Sequence, residues 1–193
     1  MISHSPIAGF ALGMMLVVAP AARAQAPKGA SSSTPPVMAS LMRDVGGVHK
    51  KMVDLAKAIP ANKYDWRPAP GVRTVREVMM HVASENYMLP AMAGAPAPAA
   101  TRINAKDYKT AETFEKRALS RDSVIAELDR SFAHMSGVMG KATAASMTTN
   151  VSFFGQQMAG QDLWIATTTH LHEHLGQAIA YARMNAITPP WSK

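Results

Sequence analysis

The chain has 193 residues, with 20 Lys and Arg, 13 Asp and Glu, seven His, fifteen Met and no Cys. This length suits one domain with a single hydrophobic core. The absence of Cys excludes disulfide scaffolds, thiolate zinc sites, iron–sulfur clusters and cysteine nucleophiles, so any metal must be held by imidazole or oxygen. The net charge of +7 bears on solubility and weak association rather than on a site. Because aromatic residues make up only 6% while Ala and Met are abundant, the composition favours packed helices over sheets.

The first 24 residues are predicted to be a secretory signal peptide. An apolar run at 7–18 precedes the triplet Ala-Arg-Ala at 22–24, which is typical of a cleavage site. The run is shorter than the roughly 20 residues of a membrane-spanning helix, although an uncleaved anchor is the alternative because no Lys or Arg precedes it. We therefore expect a periplasmic or secreted protein without stable membrane insertion after processing. Residues 25–36, rich in Pro, Ser and Ala, predict a disordered tether, and 37–193 predict the folded domain.

Two helices are predicted in the first half of this domain. Apolar residues at steps of three and four predict a helix over 37–59, which Pro60 ends. After a loop rich in Pro, the second helix is expected to begin at Thr74. The Thr74 hydroxyl and the Glu77 carboxylate can each accept a backbone N–H of the first turn, as in a capping box. Pro90 is expected to end this helix.

Two further helices complete the prediction. The third starts at Ser120, after a shorter helical stretch over 110–118, and the fourth spans about 159–185. No segment alternates convincingly between apolar and polar residues, so no strand is expected in the link at 143–152. Four helices joined by loops predict an all-α fold, a four-helix bundle, and the long connection at 91–119 predicts a crossover.

Three histidines are expected to face the interior of this bundle. His170 and His174 are four residues apart and lie on one face of the fourth helix, where two imidazoles can converge on a metal. Such pairs also arise simply because these positions are neighbours on a helix. His81 lies in the apolar stripe of the second helix, and Glu85 follows one turn later. A lone buried His is more often a hydrogen-bonded core residue, but one metal would satisfy three inward imidazoles at once. The remaining helical histidines are expected at surface or boundary positions: His49, His134 and His172.

These residues resemble the DinB-like superfamily of metal-binding four-helix bundles. The resemblance rests first on W-R-P-x-P-G-V-R-T-V-R-E-V-x-x-H from Trp66 to His81. It rests also on H-x-x-x-H-x-G-Q at 170–177 and on Y-x-R-x-N-x-x-x-P-P at 181–190. It covers about 37–191, essentially the whole predicted domain.

The resemblance implies one divalent metal, usually zinc or nickel, held by His81, His170 and His174. The remaining coordination positions would go to water or substrate. Family members of known activity are thiol-dependent transferases and isomerases, and others are described as metal-dependent hydrolases. The family often forms dimers, so the resemblance also allows a homodimer.

The expected function is that of an exported metal-dependent enzyme, a hydrolase or a thiol-dependent transferase, acting on a small molecule. Three neutral His with open coordination positions are typical of a catalytic metal site, and such an ion can lower the pKa of a bound water or thiol. Glu85 is the candidate for a general base or for the carboxylate that orients a metal-bound imidazole. The alternative for Glu85 is an ordinary acid on the helix surface.

Two other functions remain open on sequence grounds. One is a non-catalytic periplasmic metal-binding protein. The other is copper handling through methionines, since thioethers suit Cu(I), although Met also fills irregular helical cores. Nucleic-acid binding is not expected because Lys and Arg are spread along the chain without a dense run. The methionine pairs at a spacing of four are Met38 and Met42, Met88 and Met92, and Met135 and Met139.

Overall fold

The structure, a computed structural model, describes residue 1 and residues 34–192. The predicted signal peptide and all but the last three residues of the predicted tether therefore lie outside the described residues, apart from residue 1. Within 34–192, no helix is both long enough and apolar enough to cross a membrane.

The regular elements of the described chain are helices apart from one small hairpin and an isolated bridge between Asn104 and Asp107, and the predicted all-α four-helix bundle is confirmed. Short 3₁₀ turns occupy Ala61–Lys63, Ala99–Thr101 and Pro190–Ser192. The elements in chain order are α1 (Pro36–Ala58), α2 (Val75–Met92), α3 (Lys109–Glu115), α4 (Arg121–Met139), α5 (Ala144–Thr148), β1 (Asn150–Phe153), β2 (Gln156–Ala159) and α6 (Gly160–Met184). The four long helices α1, α2, α4 and α6 form the bundle, and α3 lies in the crossover between α2 and α4.

Helix α2 is the central helix of the bundle. Its capping box is confirmed, because Thr74 Oγ1 accepts the Glu77 N–H at 3.1 Å and Glu77 Oε2 accepts the Thr74 N–H at 2.7 Å. The helix packs against α3, α4 and α6, so every residue from 78 to 90 is buried. The expectation that Pro90 ends it is wrong by two residues. Pro90 lies in the last turn, where the loss of one backbone N–H interrupts little of the remaining helix.

The hairpin β1–β2 was not predicted. Its strands pair antiparallel, from Asn150 opposite Ala159 to Phe153 opposite Gln156, and the connection is a two-residue turn. Strand β1 alternates between exposed and half-buried residues, but only over four residues, and β2 does not alternate in burial. A period-two pattern this short, in only one of the two strands, is too weak a signal to predict a strand. The hairpin leads directly into α6 and therefore lies beside the first turns of that helix.

Candidate metal centre

The structure brings His81, His170 and His174 together where α2 packs against α6. Each ring offers a nitrogen, and these three atoms lie within 4.8 Å of one another. The ring centroids are 4.5 Å apart for His81 and His174, 4.4 Å for His170 and His174, and 5.4 Å for His81 and His170. His81 is buried and the other two are half-buried. The cluster is therefore compact enough for one ion to be shared by three imidazoles.

The hydrogen bonds of the three rings show which ring nitrogens are already engaged and which are left for a metal. His81 Nδ1–H donates to Glu115 Oε2 at 3.0 Å, and His174 Nδ1–H donates to Gln177 Oε1 at 2.8 Å. In both rings Nδ1 is engaged, so Nε2 is the nitrogen left for a ligand. His170 Nε2 is buried and has no hydrogen-bond partner within the described part of the chain. Because an unpaired buried polar atom is costly, this nitrogen is expected to have a ligand.

Glu115, which was not predicted from the sequence, hydrogen bonds to His81 of the cluster. It stands at the end of α3, where Arg73 Nε and Nη2 donate to its two carboxylate oxygens at 2.5 and 3.2 Å. Burial opposes ionisation, but the hydrogen bonds from His81 and Arg73 outweigh it and lower the pKa of Glu115. Glu115 thus remains a carboxylate that can orient His81. The only sequence signal was an acid in a short helix whose position relative to the bundle could not be derived.

A second chain of hydrogen bonds supports His174. Gln177 accepts from His174 and donates through Nε2 to the Tyr181 hydroxyl at 3.1 Å, and Tyr181 donates to the Arg73 carbonyl oxygen at 3.1 Å. Arg73 thus supports two of the imidazoles, through its side chain at His81 and through its backbone at His174. The loop before α2 is in this way part of the centre.

Glu85 lies inside the protein, so the alternative of a surface acid is wrong. It is only 4% exposed, and its Oε1 is buried without a hydrogen-bond partner among the described residues. Burial raises the pKa of Glu85. The carboxylate that hydrogen bonds to His81 is Glu115, whereas Glu85 faces the cavity beside the cluster. Its role as a general base remains a prediction.

The two half-buried imidazoles are held in the neutral form. Burial, together with the neighbouring His174 and His81, lowers the pKa of His170 to about 4. Burial also lowers the pKa of His174. Since the neutral imidazole is the form that binds a metal, both rings are ready to serve as ligands at pH 7.

A cavity of about 330 Å³ adjoins the three histidines. Besides the imidazoles, its polar lining residues are Arg73, Glu85, Tyr108 and Thr167. Its apolar lining residues are Leu89, Phe153, Phe154 and Ala166.

The other helical histidines do not join the cluster. His49 Nε2 pairs with Asp129 at 2.7 Å, and His172 Nε2 pairs with Asp44 at 2.9 Å, both at the surface or boundary as expected. His134 is partly buried, and its Nε2 has no partner in the portion that the structure describes.

Four of the six paired methionines occupy packing positions. Met38, Met88, Met135 and Met139 are fully buried among apolar side chains, which is the ordinary use of Met in a helical core. Core packing therefore accounts for these four residues, and copper handling stays an untested alternative.

A family model described as the DinB superfamily matches residues 47–178. The chain belongs to the DinB superfamily. It resembles the crystal structure of a DinB-like protein from Bacillus cereus ATCC 10987, with a TM-score of 0.61 and 15% identity over 79% of this chain and 95% of the other. It also resembles a DinB-like protein from Bacillus subtilis, with a TM-score of 0.58 and 15% identity over 77% of this chain and 93% of the other.

At this level of identity, the two structures establish a shared fold and nothing finer. No curated protein matches the sequence.

Proposed function

We propose that this member of the DinB superfamily is a metal-dependent enzyme that binds one divalent ion through His81, His170 and His174. Its substrate would be a small molecule held in the adjoining cavity. The observation that carries the proposal is the convergence of three imidazoles, one of which has a buried nitrogen without a hydrogen-bond partner among residues 34–192.

The donor set fits such an ion. Three imidazoles suit zinc or nickel, and three protein ligands beside a cavity leave positions for water or substrate, as catalytic sites do. When bound, the ion would act as a Lewis acid and lower the pKa of a bound water or thiol.

The chain's own residues would supply orientation and proton transfer. Glu115 and Gln177 hold two of the rings in the tautomer that offers Nε2. Glu85, whose pKa is raised by burial, would hold or release a proton at the cavity, which the Tyr108 phenol also lines. Hydrolysis and thiol transfer would use these groups alike and would differ only in the attacking nucleophile.

Metal content of the purified protein tests the binding step. We expect about one equivalent of zinc or nickel by elemental mass spectrometry, and none in the triple variant His81→Ala, His170→Ala and His174→Ala. The matched control is His172→Ala, because His172 lies on the same helix but points to Asp44 at the surface. A wild-type protein without stoichiometric metal, or a triple variant that is folded by circular dichroism and keeps the metal, would disprove the site.

Catalysis is tested separately. Activity toward small esters, amides and thiol acceptors is expected to disappear with a chelator and to return when zinc or nickel is added. A metal-loaded protein that turns over none of these substrates would favour the non-catalytic alternative.

We also propose that the protein is exported. The apolar run at 7–18 and the cleavage triplet after it support this. Cell fractionation followed by N-terminal sequencing is expected to find a mature chain beginning at Gln25. Recovery of the uncleaved chain in the membrane fraction would instead identify an anchor.

A further inference from the structure

Phe154, at the tip of the hairpin, has an unfavourable backbone and an exposed side chain. Its φ is 48°, in the left-handed region, and it forms a two-residue turn with Gly155, whose φ is 83°. Turns of this kind favour Asn, Asp or Gly at both positions, and a bulky side chain there is uncommon. The side chain is nevertheless 55% exposed, so burial in the core does not explain the choice of Phe.

The ring of Phe154 belongs to an aromatic cluster on the cavity wall. It meets the Tyr108 ring edge-on at 5.5 Å and the Phe153 ring at 4.6 Å. All three side chains line the cavity that holds the three histidines. Strained residues persist mainly where they contribute to a site, and an exposed aromatic side chain in contact with a cavity is a typical ligand contact.

The base of the hairpin is held in place. A Cβ added at Gly160 would lie 2.2 Å from the Ser146 carbonyl oxygen, so the start of α6 is in close contact with α5. The Gly160 N–H also donates to the Thr149 carbonyl oxygen at 2.9 Å. This anchoring fixes the position of the tip relative to α6, the helix that carries two of the histidines.

We propose that Phe154, together with Tyr108 and Phe153, binds an aromatic or planar apolar group of the substrate, whose polar end lies at the three histidines. This inference rests on the proposed function, because it places the substrate in the cavity of the metal centre. A volume of about 330 Å³ is at the small end of the range of ligand pockets, so the group is a single ring rather than a fused system. Phe154 determines specificity and takes no part in the chemistry.

The first test compares two ligands that share a metal-binding group. Benzohydroxamate carries a phenyl ring where acetohydroxamate carries a methyl group, and their binding to the zinc-loaded full chain is measured by calorimetry. We expect the wild type to prefer benzohydroxamate by about tenfold, the size of one good aromatic contact. Phe154→Asn is expected to bring the preference to within about twofold without changing zinc content or acetohydroxamate affinity, whereas Phe154→Tyr retains it.

The Asn variant separates a binding role from a structural one. Asn suits the left-handed turn, so this variant is expected to be at least as stable as the wild type in urea unfolding. The matched control is Trp191→Ala, another exposed aromatic residue, which does not line the cavity and is expected to leave the preference intact. An unchanged preference in the Asn variant would overturn the proposal.

A metal-free measurement distinguishes this proposal from the metal site itself. Saturation-transfer NMR with benzamide and acetamide on chelator-treated protein is expected to show contact with benzamide only, and contact is lost in Phe154→Asn. If the protein prefers benzamide but never binds zinc, the metal site is wrong and the role of the aromatic cluster is supported. If the protein binds zinc but prefers the phenyl ligand in neither assay, the proposed role of the aromatic cluster is wrong and the metal site stands.

Discussion

At the scale of single residues, each imidazole of the centre has a different environment. His81 is oriented by a carboxylate, His174 by an amide, and His170 has no hydrogen-bond partner for Nε2 within the described chain. A carboxylate partner raises the basicity of a metal-bound imidazole and fixes its tautomer more strongly than an amide does. Glu115 is therefore the supporting residue whose loss should matter most.

Replacing Glu115 with Gln is expected to weaken metal affinity by about 10–100-fold, because the amide keeps the size of the side chain but loses the charge that orients His81. Competition with a chromophoric chelator measures this. Glu112→Gln is the matched control, since Glu112 is an exposed acid on the same helix α3. Equal affinities in the two variants would show that Glu115 has no part in the centre.

His134 is expected to make stability depend on pH. Burial lowers the pKa of His134 below 6.5, so on acidification the unfolded chain takes up a proton before the folded chain does. The free energy of unfolding should therefore fall as pH drops through about 6.5 and level off below the folded pKa, with a contribution of at most about 1.4 kcal/mol per pH unit.

Urea unfolding at several pH values checks this expectation. His134→Phe, which keeps a ring against Tyr87, should show a shallower loss of stability in acid than the wild type. Parallel profiles for the two proteins would contradict the expectation. Other groups that titrate in both proteins cancel in the comparison.

At the scale of elements, the start of α6 determines where the hairpin lies. The Ser146 carbonyl oxygen lies so close to Gly160 that it would clash with a Cβ at this position. Gly176, in the same helix, has no atom within 4 Å of such a Cβ. Both glycines are helical, but a side chain would clash with α5 at Gly160 and would meet open space at Gly176.

Gly160→Ala is expected to destabilise the protein by about 1–3 kcal/mol, because the new methyl group must displace α5 or the hairpin. Gly176→Ala is expected to stabilise it by about 1 kcal/mol through higher helix propensity. Urea unfolding of both variants gives the comparison. A Gly160→Ala protein as stable as the Gly176→Ala protein would mean that the contact with Ser146 is easily relieved.

At the scale of the whole molecule, a bound ion is expected to tie α2 to α6 and so to add to global stability. With free metal at a hundredfold excess over Kd, linkage predicts about 3 kcal/mol, or a rise in Tm of about 5–10 °C for a domain of this size. Calorimetry with zinc and with a chelator measures the shift. His172→Ala should retain it and the triple His variant should not, and a shift of equal size in the triple variant would locate the metal elsewhere.

Local sequence information was sufficient for much of the fold. The capping box at Thr74 and Glu77, the break at Pro60 and the spacing of apolar residues are determined by contacts within a few residues, and the structure has helices where they predict them. The hairpin was missed because its pairing has only four residues per strand. The buried surface of α2 is wider than its apolar stripe, since three helices cover it at once.

The sequence by itself determined that His170 and His174 share one face of α6, because helical geometry fixes the positions of residues four apart. It also placed His81 on the inward side of α2. The resemblance to the DinB-like superfamily then implied that all three histidines bind one metal. Only the tertiary structure decided that Glu115 rather than Glu85 holds His81, and that Phe154 lines the cavity. His81 and Glu115 are 34 positions apart along the chain, and Phe154 contacts Tyr108 from a different element, so both contacts depend on how the crossover and the hairpin pack against the bundle.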